Sequence, residues 1–217
     1  HFFKETHECC LSCATMEEET KEGTSMHKTE KPRLAFIGDS ITEGWGLSDW
    51  EKERYTTLLA QAFPQYEILN FGSSGATLQS QFDMAYTNTL AFEKSIQEQP
   101  YDMLFVFLGA NDVWYWTSEN TFRAEYEQLL ARYTASRIFL IAPLKMNAGH
   151  YETHKLEQIR AIIKDIARQN GLAFIDLYEA SRTDWLSFDS VHPDAYGQKE
   201  IARLIAQALR SKDIAPL

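Results

Sequence analysis

Five short apolar runs, at 34–37, 66–71, 103–108, 138–142 and 173–177, are separated by longer stretches of helical period. This alternation constrains the fold more than any other feature of the chain. Each run is too short for a stable helix, and apolar residues on both sides of its pleat read as a strand buried on two faces. Between the runs, "HKLEQIRAIIKDIARQNG" places Leu156, Ile159, Ile163 and Ile166 at helical spacing and closes on Gly171. "AEYEQLLARY" and "QKEIARLIAQALR" present similar faces. Strands that alternate with helices pair in parallel, and right-handed crossovers put the helices on both sides of the sheet. The expected class is α/β: a three-layer α/β/α sandwich around a five-stranded parallel sheet, in one domain.

Length agrees, since 217 residues suit one domain with a full core. The formal charge of -10 argues against general affinity for nucleic acid or anionic membrane surfaces. No apolar run approaches the ~18 residues of a membrane span.

The segment 1–31 differs from the rest. It is polar, rich in Glu and Lys, and without apolar period, so it is expected to be a disordered leader or an added extension, with the folded domain over 32–217. It holds Cys9, Cys10 and Cys13, which leaves the body without a disulfide. "CLSC" with His7 nearby has the spacing of a metal or redox pair but lacks a second ligand pair, so no metal is expected. "LSC" resembles the end of a lipoprotein signal, which Lys4, Glu5, His7 and Glu8 interrupt. These features favour a cytoplasmic location. An extracellular one stays open, because the chain starts without Met and a leader can have been removed.

Four small clusters carry the chemistry. "GDSITEG" follows the first run, "NFGSSGAT" the second and "LGANDVW" the third, while "DSVHPDAYG" precedes the final helix. The first three leave carboxyl ends of parallel strands, the rim where open α/β sheets bind ligands. Gly38 is read as permitting a tight turn that presents Ser40 beyond the first strand. A serine hydroxyl needs a base to take its proton, and the base needs an orienting carboxylate. Of the histidines outside the leader, His150, His154 and His192, only His192 has an Asp three residues before it. The assignment is Ser40 as nucleophile, His192 as base and Asp189 as orienter. His150 and His154 are read as residues of a solvated loop. Acyl transfer also needs donors for the developing oxyanion. The glycines of "GSSG", the Asn111 side chain and the Ser40 backbone N–H are candidates. Asp39, Asn70 and Asp112 are read as bracing the loops.

Together the blocks resemble the SGNH hydrolase superfamily, the GDSL-type esterases and lipases. "GDSITEG" matches its Gly-Asp-Ser block, "NFGSSG" its Asn-x-Gly-x-x-Gly, "GAND" its Gly-x-Asn-Asp and "DSVHP" its Asp-x-x-His, in the family's order. The resemblance covers the chain from Arg33 to about Arg210. It implies the catalytic triad Ser40, Asp189 and His192, and an oxyanion hole formed by the Ser40 amide, Gly75 and Asn111. It also implies a sheet in flavodoxin-like order and no metal or organic cofactor, and the chain carries no Walker A or dinucleotide fingerprint.

Trp45, Trp114 and Trp116 lie near these blocks and are candidates for substrate binding, with packing as the competing role. The expected function is a serine ester hydrolase acting through an acyl-enzyme on a small-molecule ester, with short acyl groups such as acetyl esters of carbohydrates favoured. A thioesterase or lysophospholipase is the alternative within the superfamily, and a noncatalytic carbohydrate-binding protein the alternative outside it. The oligomeric state is not legible in the sequence.

Overall fold

The computed structural model describes residues 31–147 and 149–211. Apart from Lys31, the segment read as a leader lies outside the described residues, and so do its Cys-x-x-Cys pair and the lipoprotein-like stretch. The strands are β1 (Arg33–Gly38), β2 (Glu67–Gly72), β3 (Tyr101–Phe107), β4 (Ala135–Ile141) and β5 (Ala173–Ile175). All pair in parallel, in the order β2-β1-β3-β4-β5. This is the flavodoxin-like order. The last strand is shorter than the apolar run 173–177. Asp176 interrupts it by accepting from the Glu179 backbone N–H and capping a short helix.

The helices are α1 (Ser40–Glu43), α2 (Trp50–Glu53), α3 (Tyr55–Ala62), α4 (Leu90–Gln97), α5 (Glu119–Leu130), α6 (His150–Gln169), α7 (Leu177–Ala180) and α8 (Ala195–Arg210). Residues of β1 alternate between two cores. Leu34 and Phe36 meet Tyr55 and Leu59 of α3 and Ile201 and Ile205 of α8. Ala35 and Ile37 meet the opposite layer, built from Phe92 of α4, Phe122 and Tyr126 of α5, and Ile159 and Ile163 of α6. Burial of both faces explains why β1 and β3 are apolar at nearly every position. In α6, Leu156, Ile159, Ile163 and Ile166 are all buried, as their spacing requires. The helix ends where Gly171 takes φ 61° and the Leu172 N–H turns back to Ala167 O.

Phe36, Phe105 and Phe139 stand in register across β1, β3 and β4. Their rings stack with centroids 4.3 and 4.4 Å apart and planes within 9° and 10° of parallel. Offset aromatic pairs contribute roughly 0.5–1.5 kcal/mol each beyond burial. This ladder runs beneath the strand ends that carry the clusters, and those ends are level, since Gly38 is opposite both Gly72 and Phe107.

Candidate active site

Ser40 opens α1 directly beyond β1 and is almost fully buried. The need for Gly38 is not the turn that the sequence suggested, because its φ is not positive. A Cβ there would fall 2.1 Å from Thr42 Oγ1 and 2.9 Å from Phe107 O, so close approach of α1 to the sheet excludes a side chain. Asp39 caps α1, its Oδ1 accepting from Ile41 N at 3.0 Å. Burial pushes the Asp39 carboxyl up to about 7, and the nearby Asp112 adds to the shift.

Asp189 and His192 lie in a tight loop before α8. Ser187 N donates to His192 O at 2.7 Å, Asn147 N to Ser190 O at 2.9 Å, and Ser190 takes φ 64°. His192 Nε2 lies 2.9 Å from Ser40 Oγ, and His192 Nδ1 lies 2.7 Å from Asp189 Oδ2. The other carboxylate oxygen, Oδ1, accepts from Ser187 Oγ, Val191 N and His192 N, each at 2.9 Å. Partial burial by itself raises this carboxyl. The backbone donors of His192 and Val191, the imidazole and the Ser187 hydroxyl outweigh it and bring it down to about 2. An ionised Asp189 keeps the imidazole proton on Nδ1, which leaves Nε2 free to accept from the Ser40 hydroxyl.

Gly75 and Asn111 leave the two strands flanking β1. Gly75 has φ 75°, and a Cβ on it would meet Met84 Cε at 2.0 Å, so both conformation and space call for glycine. Among the described residues, neither its N–H nor that of Ser40 donates to a protein acceptor. Asn111 Nδ2 donates to Ala76 O at 3.0 Å, which uses one amide hydrogen and orients the other.

The loops are tied to one another. Buried Asp112 accepts from Leu78 N at 2.9 Å and from Gln79 N at 3.0 Å. Asn70 Nδ2 donates to Thr42 O at 2.5 Å and Thr56 Oγ1 at 2.7 Å, while its Oδ1 accepts from Gly72 N. Gln198 of α8 supplies a buried link. It accepts from Tyr55 N at 2.8 Å and donates to Ile41 O at 3.1 Å, joining the helix behind His192 to the helix of Ser40.

The tryptophans separate. Trp45 packs on His192, with ring centroids 4.4 Å apart. Trp114 is exposed. Trp116 contacts Phe122, with Lys155 Nζ 4.2 Å above its ring, so its neighbours are core and helix rather than the Ser40–His192 pair. His150 and His154 are exposed at the start of α6 and are not in a loop, and neither bonds to Ser40 or Asp189. Among the described residues no group of three or more His, Cys, Asp and Glu is placed to hold a metal ion, and no helix is long and apolar enough to cross a membrane.

Sequence reasoning missed a cleft of about 340 Å³ lined by residues 43–47, Trp50 and Ser74. Its one trace in the sequence is the paired tryptophan in "WGLSDW".

The model of the GDSL-like Lipase/Acylhydrolase family matches residues 36–200, a span that contains all four clusters. The chain belongs to this family. It is 28% identical over 214 residues to an acetylxylan esterase of Xylanibacter ruminicola, an alignment covering 84% of this chain and 44% of that protein. The chain thus spans less than half of that relative's length. A second acetylxylan esterase, from Geobacillus stearothermophilus, is 25% identical over 209 residues, covering 79% of this chain and 90% of the relative. The crystal structure of a carbohydrate acetylesterase from Sinorhizobium meliloti superposes with a TM-score of 0.68 at 19% identity, covering 82% of this chain and 98% of that one. That likeness shows the shared fold.

Proposed function

We propose that the chain is a serine ester hydrolase that works through an acyl-enzyme on short-chain acyl esters, with acetyl groups on carbohydrates as the favoured substrates. The observation that carries the reading is the unbroken hydrogen-bonded series from Ser40 Oγ through His192 to Asp189. The carbohydrate part draws on the relatives, two of which are named acetylxylan esterases. Their names give no support to the thioesterase or lysophospholipase alternative.

In this mechanism Ser40 Oγ attacks the ester carbonyl carbon as its proton passes to His192 Nε2. The carbonyl oxygen becomes an oxyanion facing the N–H groups of Ser40 and Gly75 and the second amide hydrogen of Asn111. Collapse breaks the bond to the alcohol oxygen, which takes the proton from Nε2. A water then gives a proton to Nε2 and attacks the acyl-enzyme, and Ser40 departs with that proton as acid is released. Asp189, held at about 2, stays charged through both halves and stabilises each imidazolium.

The test is hydrolysis of p-nitrophenyl esters from acetyl to dodecanoyl and of acetylated xylo-oligosaccharides, with Ser40→Ala in parallel. Turnover that peaks at acetyl or butyryl and falls by on the order of 10⁶-fold in the variant supports the reading. A peak at long chains overturns the acyl assignment. Turnover that persists in Ser40→Ala overturns the mechanism.

A further inference from the structure

The cleft lined by residues 43–47, Trp50 and Ser74 adjoins the reacting groups without holding any of them. Trp45 is the link, since its ring packs against the His192 imidazole and also forms a wall of the cleft. On the ester-hydrolase reading, His192 Nε2 must hand its proton to the departing alcohol, so the alcohol half of the ester lies on the imidazole side. That is the side on which Trp45 opens into the cleft.

The lining is suited to a particular kind of alcohol. Trp45 and Trp50 are 49% and 48% exposed, and Leu47 also lines the cleft. Indole faces left open to water are suited to the C–H face of a sugar ring, whose weakly positive hydrogens meet the negative π-cloud. Arg54 lies 4.7 Å from the Trp50 ring centroid, and this contact holds the ring in place. At Gly46 a Cβ would meet nothing within 4 Å, so the cleft is open beside this part of its lining.

Glu43 adds a polar group at the edge. One of its oxygens, Oε2, accepts from Ser74 N at 2.8 Å and from the Ser74 hydroxyl. Among the described residues its other oxygen has no protein donor, and the carboxylate is in no ion pair. A carboxylate oxygen without a protein donor accepts a hydroxyl proton. A volume of about 340 Å³ lies at the lower end of the range for small-molecule sites.

We propose that this cleft is the subsite for the alcohol half of the substrate, and that it takes a sugar ring stacked on Trp50 with a hydroxyl donated to Glu43. The assignment rests on the ester-hydrolase reading for its orientation. Trp50 acts here as a specificity-determining residue that touches the substrate away from the reacting bond.

The experiment compares wild type with Trp50→Ala and Trp50→Tyr. The probes are acetylated xylotriose, p-nitrophenyl acetate as a sugar-free reference, and unacetylated xylotriose titrated by calorimetry. In Trp50→Ala the ratio of kcat/KM on the sugar ester to that on the reference should fall roughly tenfold, mainly through KM, with a matching loss of xylotriose affinity. Trp50→Tyr should recover most of both. If Trp50→Ala does not fold, Trp50→Leu takes its place, because leucine keeps apolar bulk without a ring.

An unchanged ratio and unchanged xylotriose affinity would overturn the subsite while leaving the hydrolase reading intact. Xylotriose binding that depends on Trp50, without turnover of any ester, would leave a sugar site at Trp50 and overturn both the hydrolase reading and the assignment of the cleft to the alcohol half. Absence of both binding and turnover would overturn the two together.

Discussion

The turn that carries Ser40 and the loop that carries His192 each contain an aspartate, and the two behave in opposite ways. Asp39 is buried beneath α1 with one backbone donor from Ile41, and burial raises its carboxyl to about 7. Asp189 is only partly buried and has four donors on its two oxygens, which bring it down to about 2. Removal from water and supply of hydrogen bonds push a carboxyl in opposite directions, and the depth of burial weighed against the donors decides which prevails. The first environment suits a structural cap, the second a permanent charge behind an imidazole.

Substitution by asparagine is the strongest way to break this comparison. Asp189→Asn should lower kcat by about 10⁴-fold, because the amide removes the charge and favours the wrong imidazole tautomer. Asp39→Asn keeps the capping oxygen and should lower kcat by less than about tenfold. Steady-state kinetics on p-nitrophenyl acetate measures both, and equal losses would erase the distinction. On the oxyanion side, Asn111→Ala should cost roughly 10²–10³-fold in kcat with little change in KM, since the donor acts on charge that develops only in the transition state.

The two regions also depend on a link between them. Gln198→Leu should leave Tyr55 N and Ile41 O unpaired in the interior, at a cost of about 1–3 kcal/mol for each group. Urea unfolding reads this directly. A variant as stable as wild type would mean that α8 and α1 hold their positions without it.

The last effect is a slope. Folded protein retains the Asp39 proton up to about 7, whereas an unfolded chain releases it near 3.8. The folded state therefore binds more protons between these values, and the Asp39 contribution to stability falls as pH rises from about 4 to about 7. Relative to Asp39→Asn, wild type should lose up to about 1.4 kcal/mol per pH unit across that window. Asp189 works the other way, its contribution being present above 3.8 and lost as pH falls towards about 2, so the two do not overlap. Parallel stability curves for wild type and Asp39→Asn would show that Asp39 is not protonated in the folded state.

Much of the site was legible because short spacings carry it. Asp189 and His192 are three residues apart, and a turn suffices to join them. Asn111 and Asp112 sit in one turn of chain, where adjacent side chains take opposite tasks. The bond between Ser40 and His192 spans 152 positions; the alternation of runs placed Ser40 on the ligand-binding rim, and the Asp-x-x-His spacing with the family resemblance of the four blocks supplied His192.

What the sequence alone determined is the α/β layering and the residue types gathered at one rim. Both follow from local period and from motifs a few residues long, which neighbours along the chain encode. Only the tertiary structure decided which of the tryptophans met His192 and which joined the core, why Gly38 tolerates no side chain, and that Gln198 bridges α8 to α1 and α3. It also decided that Glu43, Leu47 and Trp50 enclose a cleft with Ser74. Each of these depends on which surfaces pack together once the sheet is assembled, and a side chain's period along its own segment does not contain that information.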